Sequence, residues 1–266
     1  MKLLRINDTG KEVLKLQELL EKQGYKVPLS GVFDEETRAV VVAFQKRNNL
    51  DADGIINYKT WEVLLVANHT HGERLLDSDF ELVAALLDVE IAALKAAQQV
   101  ETGGKGGFFT PGKPAILFEG HIFWNELKKR GIDPESHCRG NEHILYPKRE
   151  KGHYIGGIHE YERLEQARKI HKEAADASAS WGMFQVMGFN HAACGEKNVD
   201  GLVNAMIASE FSQLLLFGRF IKQSKLMHEA LQKKDWAVFA KCYNGPAYAE
   251  DKYDIKLATV YSKFSK

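Results

Sequence analysis

Glu101 closes an apolar, alanine-rich stretch and is followed by Thr102-Gly103-Gly104, with Phe108-Phe109 a few residues on. A carboxyl in that setting suits acid catalysis: a side chain stripped of water holds its proton towards neutral pH and can hand it to a leaving oxygen. The glycines permit close approach of a substrate, and Phe109 with Phe108 can exclude water. A glutamate beside glycines is by itself more often a solvated turn residue, so the surroundings carry the assignment. Two further segments supply them. Residues 178–188 form an apolar, glycine-punctuated run holding the neutral amide Gln185, and Tyr243-Asn244-Gly245-Pro246 follows much later.

Other chemistries find less support. The ten histidines, His69, His71, His137, His143, His153 and His159 among them, raise with Cys138 and Cys194 the alternative of a zinc-dependent amidase or peptidase. There is no His-Glu-x-x-His pair, and His137, His143 and His191 fall in irregular segments without regular ligand spacing. No metal and no other cofactor is expected. A Gly-x-Ser-x-Gly elbow is also missing, which argues against a serine nucleophile.

Helices are the elements that must position these groups. Residues 11–23 place Val13, Leu16, Leu19 and Leu20 on one face, and Gly24 ends the helix. After the turn Ser30-Gly31-Val32-Phe33-Asp34, Thr37 is expected to open a second helix carrying Val40, Val41 and Phe44. Asp53-Gly54 marks another turn, and Thr60 is expected to open a third helix with Trp61, Leu64 and Leu65. Residues 1–67 therefore read as a three-helix module, 68–77 as a polar linker, and 78–266 as a larger, mainly helical domain. No internal repeat is evident.

Within the larger domain Ser78 and Glu81 fit a capping box, and a helix through Val89, Ala93, Leu94 and Ala97 breaks at Gly103-Gly104, leaving Glu101 in its last turn. Residues 103–157 read as a long irregular region with one apolar piece at 115–118. Helices are expected at 160–177, 200–222, 235–243 and 253–264.

Composition narrows the partners. With 266 residues, 44% hydrophobic and 27% charged, the chain can build two cores. Lys plus Arg and Asp plus Glu both total 36, so no global field draws it to nucleic acid. The longest apolar run, 82–94, is interrupted by Asp88 and Glu90 and is too short to span a membrane. The polar start MKLLRINDTGKEV is unlike a signal peptide, and the three scattered cysteines read as buried or inert thiols. A monomer is expected.

The string Gly10, Val13, Leu16-Gln17, Leu20, Gly24, Gly31-Val32-Phe33, Thr37, Val40, Phe44-Gln45, Asp53-Gly54-Ile55 and Thr60-Trp61 resembles the peptidoglycan-binding-like domain of wall hydrolases. That resemblance implies a three-helix fold with a shallow groove, and puts Asp34, Gln45, Asn57, Tyr58, Thr60 and Trp61 near the turns that would hold wall material. Phe33, Phe44 and Trp61 are expected to be core. Asn57 and Tyr58 stand where the family often has glycine and proline.

Glu-Thr-Gly-Gly, Trp-Gly-Met-Phe-Gln-Val-Met and Tyr-Asn-Gly-Pro follow the order of the lysozyme-like superfamily, which includes goose-type lysozymes and lytic transglycosylases. The second domain is similar in more detail to the N-acetylmuramidase domain of modular phage endolysins, on Ile116-Leu117-Phe118-Glu119, Ala179-Ser180-Trp181-Gly182, Gly188-Phe189-Asn190-His191 and Tyr243-Asn244-Gly245-Pro246-Ala247-Tyr248-Ala249. The resemblance implies cleavage of the β-1,4 bond between N-acetylmuramic acid and N-acetylglucosamine, with Glu101 as general acid. Gln185 would orient a water or the substrate's acetamido group, Tyr243 and Asn244 would line the cleft with Phe109, and Ser180 would either bond to the acid or pack closely. Glu119 is the candidate second carboxylate, with a salt bridge or a helix cap as its alternative role. Without a second carboxylate, the substrate's own acetamido group or an internal hydroxyl would assist, and the product would then be an anhydro sugar, as in a lytic transglycosylase, rather than a reducing end. The resemblance further implies accumulation in the host cytoplasm, release through a holin lesion, and action on the wall from the periplasm.

Overall fold

The computed structural model describes residues 2–69, 74–103 and 106–265. Of the features read from the sequence, Gly104, His71 and linker residues 70–73 lie outside the described residues. Packing divides the chain into two compact units, residues 1–72 with 84–88, and residues 73–83 with 89–266.

The first unit holds α1 (Lys11–Lys22), α2 (Glu35–Arg47) and α3 (Tyr58–Ala67) around Leu16, Leu20, Phe33, Phe44, Trp61 and Leu64. Helix starts fall earlier than expected. Asp34, not Thr37, caps α2 by accepting from the Thr37 N–H at 2.8 Å, and Asn57, not Thr60, caps α3 by accepting from the Thr60 N–H at 3.0 Å. A carboxylate or amide oxygen one residue outside the helix reaches the third amide within it, which the threonines themselves cannot do.

These caps belong to an internal repeat that the sequence reading missed. Gln17 accepts from the Gly31 N–H at 2.9 Å and donates to the Val32 carbonyl at 2.9 Å. Gln45 does the same with Gly54 at 2.9 Å and Ile55 at 2.9 Å. Each fully buried glutamine clips a glycine turn, and each turn leads into an Asx cap and a buried threonine, Thr37 or Thr60. The glutamine-to-glycine separation is 14 residues in one copy and 9 in the other, so no constant period betrays it.

Helix α4 (Asp77–Leu87) is divided between the units after Val83; Ser78 lies inside the helix and Asp79 accepts from the Leu76 N–H at 2.6 Å, so no Ser78 capping box forms. Helix α5 (Ile91–Thr102) buries Ala93, Leu94, Ala96 and Ala97 and ends on Gly103 in the left-handed region, φ 59°. Region 103–157 is more ordered than expected. It contains the hairpin β1 (Phe108–Thr110) and β2 (Lys113–Pro114), strand β3 (Ile116–Phe118), and α6 (Gly120–Lys129), whose Phe123, Trp124 and Leu127 are buried. Glycine at its first position obscured α6: a Cβ at Gly120 would meet the Tyr146 ring at 2.4 Å, so packing rather than propensity selects the residue.

Next come α7 (Glu160–Ala177), β4 (Ala179–Trp181), β5 (Val186–Met187), α8 (Val199–Ala208), α9 (Glu210–Gln223), α10 (Lys225–Lys233), α11 (Trp236–Asn244) and α12 (Tyr253–Phe264). The single helix expected over 200–222 is broken at Ser209, whose extended backbone and side-chain cap start α9, and α10 was not anticipated. Strands β3, β4 and β5 form an antiparallel sheet with Leu117 opposite Ser180 and Ser180 opposite Met187. Alternation buries Ile116, Phe118, Ala179, Trp181 and Val186 on one face and leaves Leu117, Ser180 and Met187 on the other.

Candidate active site

Three chain segments converge. Glu101 in the last turn of α5 meets the end of α11, where Asn244 Nδ2 donates to Glu101 Oε1 at 3.5 Å. Next to Asn244, the Tyr243 hydroxyl donates to the Phe184 carbonyl in the turn between β4 and β5. One turn ahead of Glu101 on α5, Gln98 Nε2 lies 3.4 Å from the Met183 sulfur in that same turn. Helix ends and hairpin are thus tied twice.

Burial pushes the Glu101 carboxyl from the ordinary glutamate value up to about 7, against smaller opposing effects of the Asn244 amide and the Lys256 charge. At neutral pH a large fraction carries its proton, as a general acid requires. Tyr243 stays neutral, its hydroxyl raised well above the ordinary tyrosine value by burial and by the neighbouring Glu101. Its ring stacks against Phe239 and stands edge-on to Phe217, which fixes the end of α11.

Gln185 is exposed between buried neighbours and sits in the left-handed region, φ 49°. Non-glycine residues in that region cluster where function holds a side chain in place. Its Oε1 accepts from the Ser180 hydroxyl at 2.8 Å, while Nε2 donates to the Gly182 carbonyl at 2.9 Å and faces the Ala115 carbonyl at 3.3 Å. The turn is anchored from below by Gln213 of α9, fully buried, which accepts from the Met183 N–H at 2.7 Å and donates to the Met206 carbonyl at 2.9 Å. Glu210, one turn earlier, accepts from the Gly107 N–H at 2.8 Å. Sequence reading missed both; an i, i+3 pair of polar residues leading into the apolar run Leu214 to Phe217 was their signal.

The remaining candidates are placed differently. Ser180 bonds to Gln185 rather than to the acid. Phe109 stands exposed on β1. Glu119 precedes α6; its carboxylate accepts from the Tyr154 hydroxyl at 2.6 Å and lies 3.3 Å from His121 Nδ1, without the alignment of a hydrogen bond. Among the described residues no hydrogen bond or ion pair joins Glu119 to Glu101, Ser180 or Gln185. In the first unit Gln45 and Thr60 are buried, with their polar atoms committed to the repeat turns, so neither is free to touch wall material. Their burial is a correction to the expectation; Asp34 and Tyr58 are partly exposed. Cys194 is buried, its thiol pushed up to about 12, and all three cysteines are free. Among the described residues no cluster of three or more His, Cys, Asp or Glu side chains could hold a metal ion.

Residues 90–265 match the family model described as N-acetylmuramidase, a span that includes every one of these convergent groups. The chain belongs to the N-acetylmuramidase family. Residues 9–64 match a putative peptidoglycan binding domain. The crystal structure of the Burkholderia AP3 phage endolysin is 39% identical to this muramidase, covers 99% of each chain and superposes with a TM-score of 0.67. Two Bacillus subtilis (strain 168) proteins match shorter stretches. Carboxy-terminal processing protease CtpA is 31% identical over 85 residues, and the uncharacterized protein FadG is 37% identical over 67. The matches span only 18% and 12% of those two proteins, so they share a segment with the muramidase rather than its whole architecture. The muramidase is a glycoside hydrolase of mainly helical build, and no described helix is long and apolar enough to cross a membrane.

Proposed function

We propose that this muramidase is a phage endolysin that hydrolyses the β-1,4 bond between N-acetylmuramic acid and N-acetylglucosamine in bacterial peptidoglycan. The observation that carries this reading is the desolvated Glu101 carboxyl, with a pKa of about 7, tied through Asn244 and Tyr243 to the turn that presents Gln185. Glu101 donates its proton to the bridging oxygen as the bond from C1 to that oxygen breaks. A water ordered by the Gln185 carboxamide adds to C1, and the carboxylate left on Glu101 takes up the proton that this water gives up. Glu119 holds the Tyr154 hydroxyl in this scheme and does not act as the nucleophile. Partly exposed Asp34 and Tyr58 hold wall material in the first unit. The enzyme works as a monomer, collects in the host cytoplasm and reaches the wall through a holin lesion.

Incubating purified sacculi with wild-type enzyme and with Glu101→Gln tests the assignment. Clearing is expected with the former alone, and equal clearing by both would remove Glu101 from the chemistry. Mass spectrometry of the released muropeptides is expected to show reducing N-acetylmuramic acid ends; anhydro ends would replace water with an internal hydroxyl.

A further inference from the structure

Helix α12 brings to the acid a charge that the reaction does not use. It packs along α5. Towards its start Tyr253 and Lys256 lie within the field of Glu101. Towards its end the Tyr261 hydroxyl donates to Glu90, the residue that precedes α5, and Glu90 also pairs with Lys234 at the end of α10. This distant tie sets the register of α12 on α5 and so fixes which α12 residues flank Glu101.

Lys256 is exposed, its ammonium 5.2 Å above the Tyr253 ring. No carboxylate among the described residues stands within ion-pair distance of it, so its charge is open to a group arriving from outside. A free cation at this place works against the acid, since a positive neighbour favours the ionised carboxyl. A negative group arriving with the substrate would neutralise that effect at the moment of catalysis. Peptidoglycan carries such groups: each muramic acid bears a stem peptide with free carboxylates.

We infer that Lys256, held over the Tyr253 ring on the tied helix α12, is a specificity residue that pairs with a stem-peptide carboxylate beside the bond being cut. This inference rests on the muramidase reading above. Two defined muropeptide oligomers serve as probes, one with free stem carboxylates and one with the same carboxylates amidated. Wild-type enzyme is expected to show a kcat/KM about 5-fold higher on the free-acid probe at low salt, carried by KM and shrinking as salt is added. Lys256→Gln is expected to abolish the ratio and Lys256→Arg to preserve it. A wild-type ratio near one, or a ratio that survives in Lys256→Gln, would overturn the inference. A role exerted through Glu101 alone would shift the pH profile equally on both probes and leave the ratio unchanged in the variant, which counts against it too. Failure of wild-type enzyme to cut either probe would instead sink the muramidase reading.

Discussion

The Ser180 hydroxyl and the Gln185 carboxamide orient one another. Carbonyl oxygens of Gly182 and Ala115 can only accept, so the Gln185 amine must face them, and Oε1 is left for Ser180. The direction of the exposed amide is therefore fixed by chemistry.

Ser180→Ala removes that partner from Oε1 and leaves the amide held through Nε2 alone. We expect kcat to fall about 3- to 10-fold, the value of one hydrogen bond, with little change in KM or melting temperature. Steady-state kinetics on soluble muropeptides decides it, and unchanged kcat would show that Gln185 needs no such brace.

The Glu101 carboxyl must be protonated to act, so activity is expected to hold below its pKa and decline as pH rises through about 7. The Asn244 amide favours the ionised form. Asn244→Ala should accordingly raise the Glu101 pKa and carry the alkaline limb of the kcat profile to higher pH. A limb that moves to lower pH would contradict the contact.

Stability follows from the same group. The folded pKa, about 7, exceeds the ordinary value of 4.5, so folding binds the proton more tightly than unfolding. No penalty exists below the unfolded pKa; it grows as pH rises from there through about 7 and then levels off. Glu101→Gln is thus expected to be inactive yet more stable than wild type at pH 8, by roughly 2–3 kcal/mol, and equal to it at pH 4. Denaturant melts at the two pH values provide the comparison.

Gly182 has φ +70°, and a Cβ there would meet Gln213 at 2.8 Å and Met206 at 2.9 Å. Gly182→Ala should cost about 2–4 kcal/mol, strain and crowding combined, and lower the melting temperature by roughly 4–16 °C. An unperturbed melt would mean that Gln213 does not anchor the turn.

Gln45→Leu strips the partners from the Gly54 amide and the Ile55 carbonyl. Calorimetry should show the transition of the first unit falling by about 2–4 kcal/mol in stability while muramidase activity on soluble oligomers persists. Loss of wall binding without any loss of stability would restore Gln45 as a contact residue.

Legibility differed by element. Helices α1, α5, α7 and α12 were readable because each shows an apolar stripe at helical spacing or a glycine stop. Helix α6 was hidden by Gly120, a residue demanded by the nearby Tyr146 ring, and α8 and α9 merged because an extended serine between two apolar helices leaves no trace in periodicity. Glu101 was legible only together with the segments at 178–188 and 243–246, since a glutamate beside glycines is by itself more often a solvated turn residue. Lys256 was not legible, because one lysine on an exposed helical face looks like any other until α12 is laid against α5.

The sequence by itself determined the residue types and their order: a carboxyl at the end of an apolar helix, a glutamine in a glycine-punctuated turn, a tyrosine and asparagine at a helix end, and a small helical module ahead of them. Those are local properties, set by spacing and capping. Only the tertiary structure decided that the Glu101 carboxyl loses its water, that Gln185 is pinned by Ser180 while Glu119 is engaged by Tyr154, and that Gln45 and Thr60 are buried. Burial and hydrogen-bond partnership depend on segments distant in sequence, and no short-range pattern encodes which of them will meet.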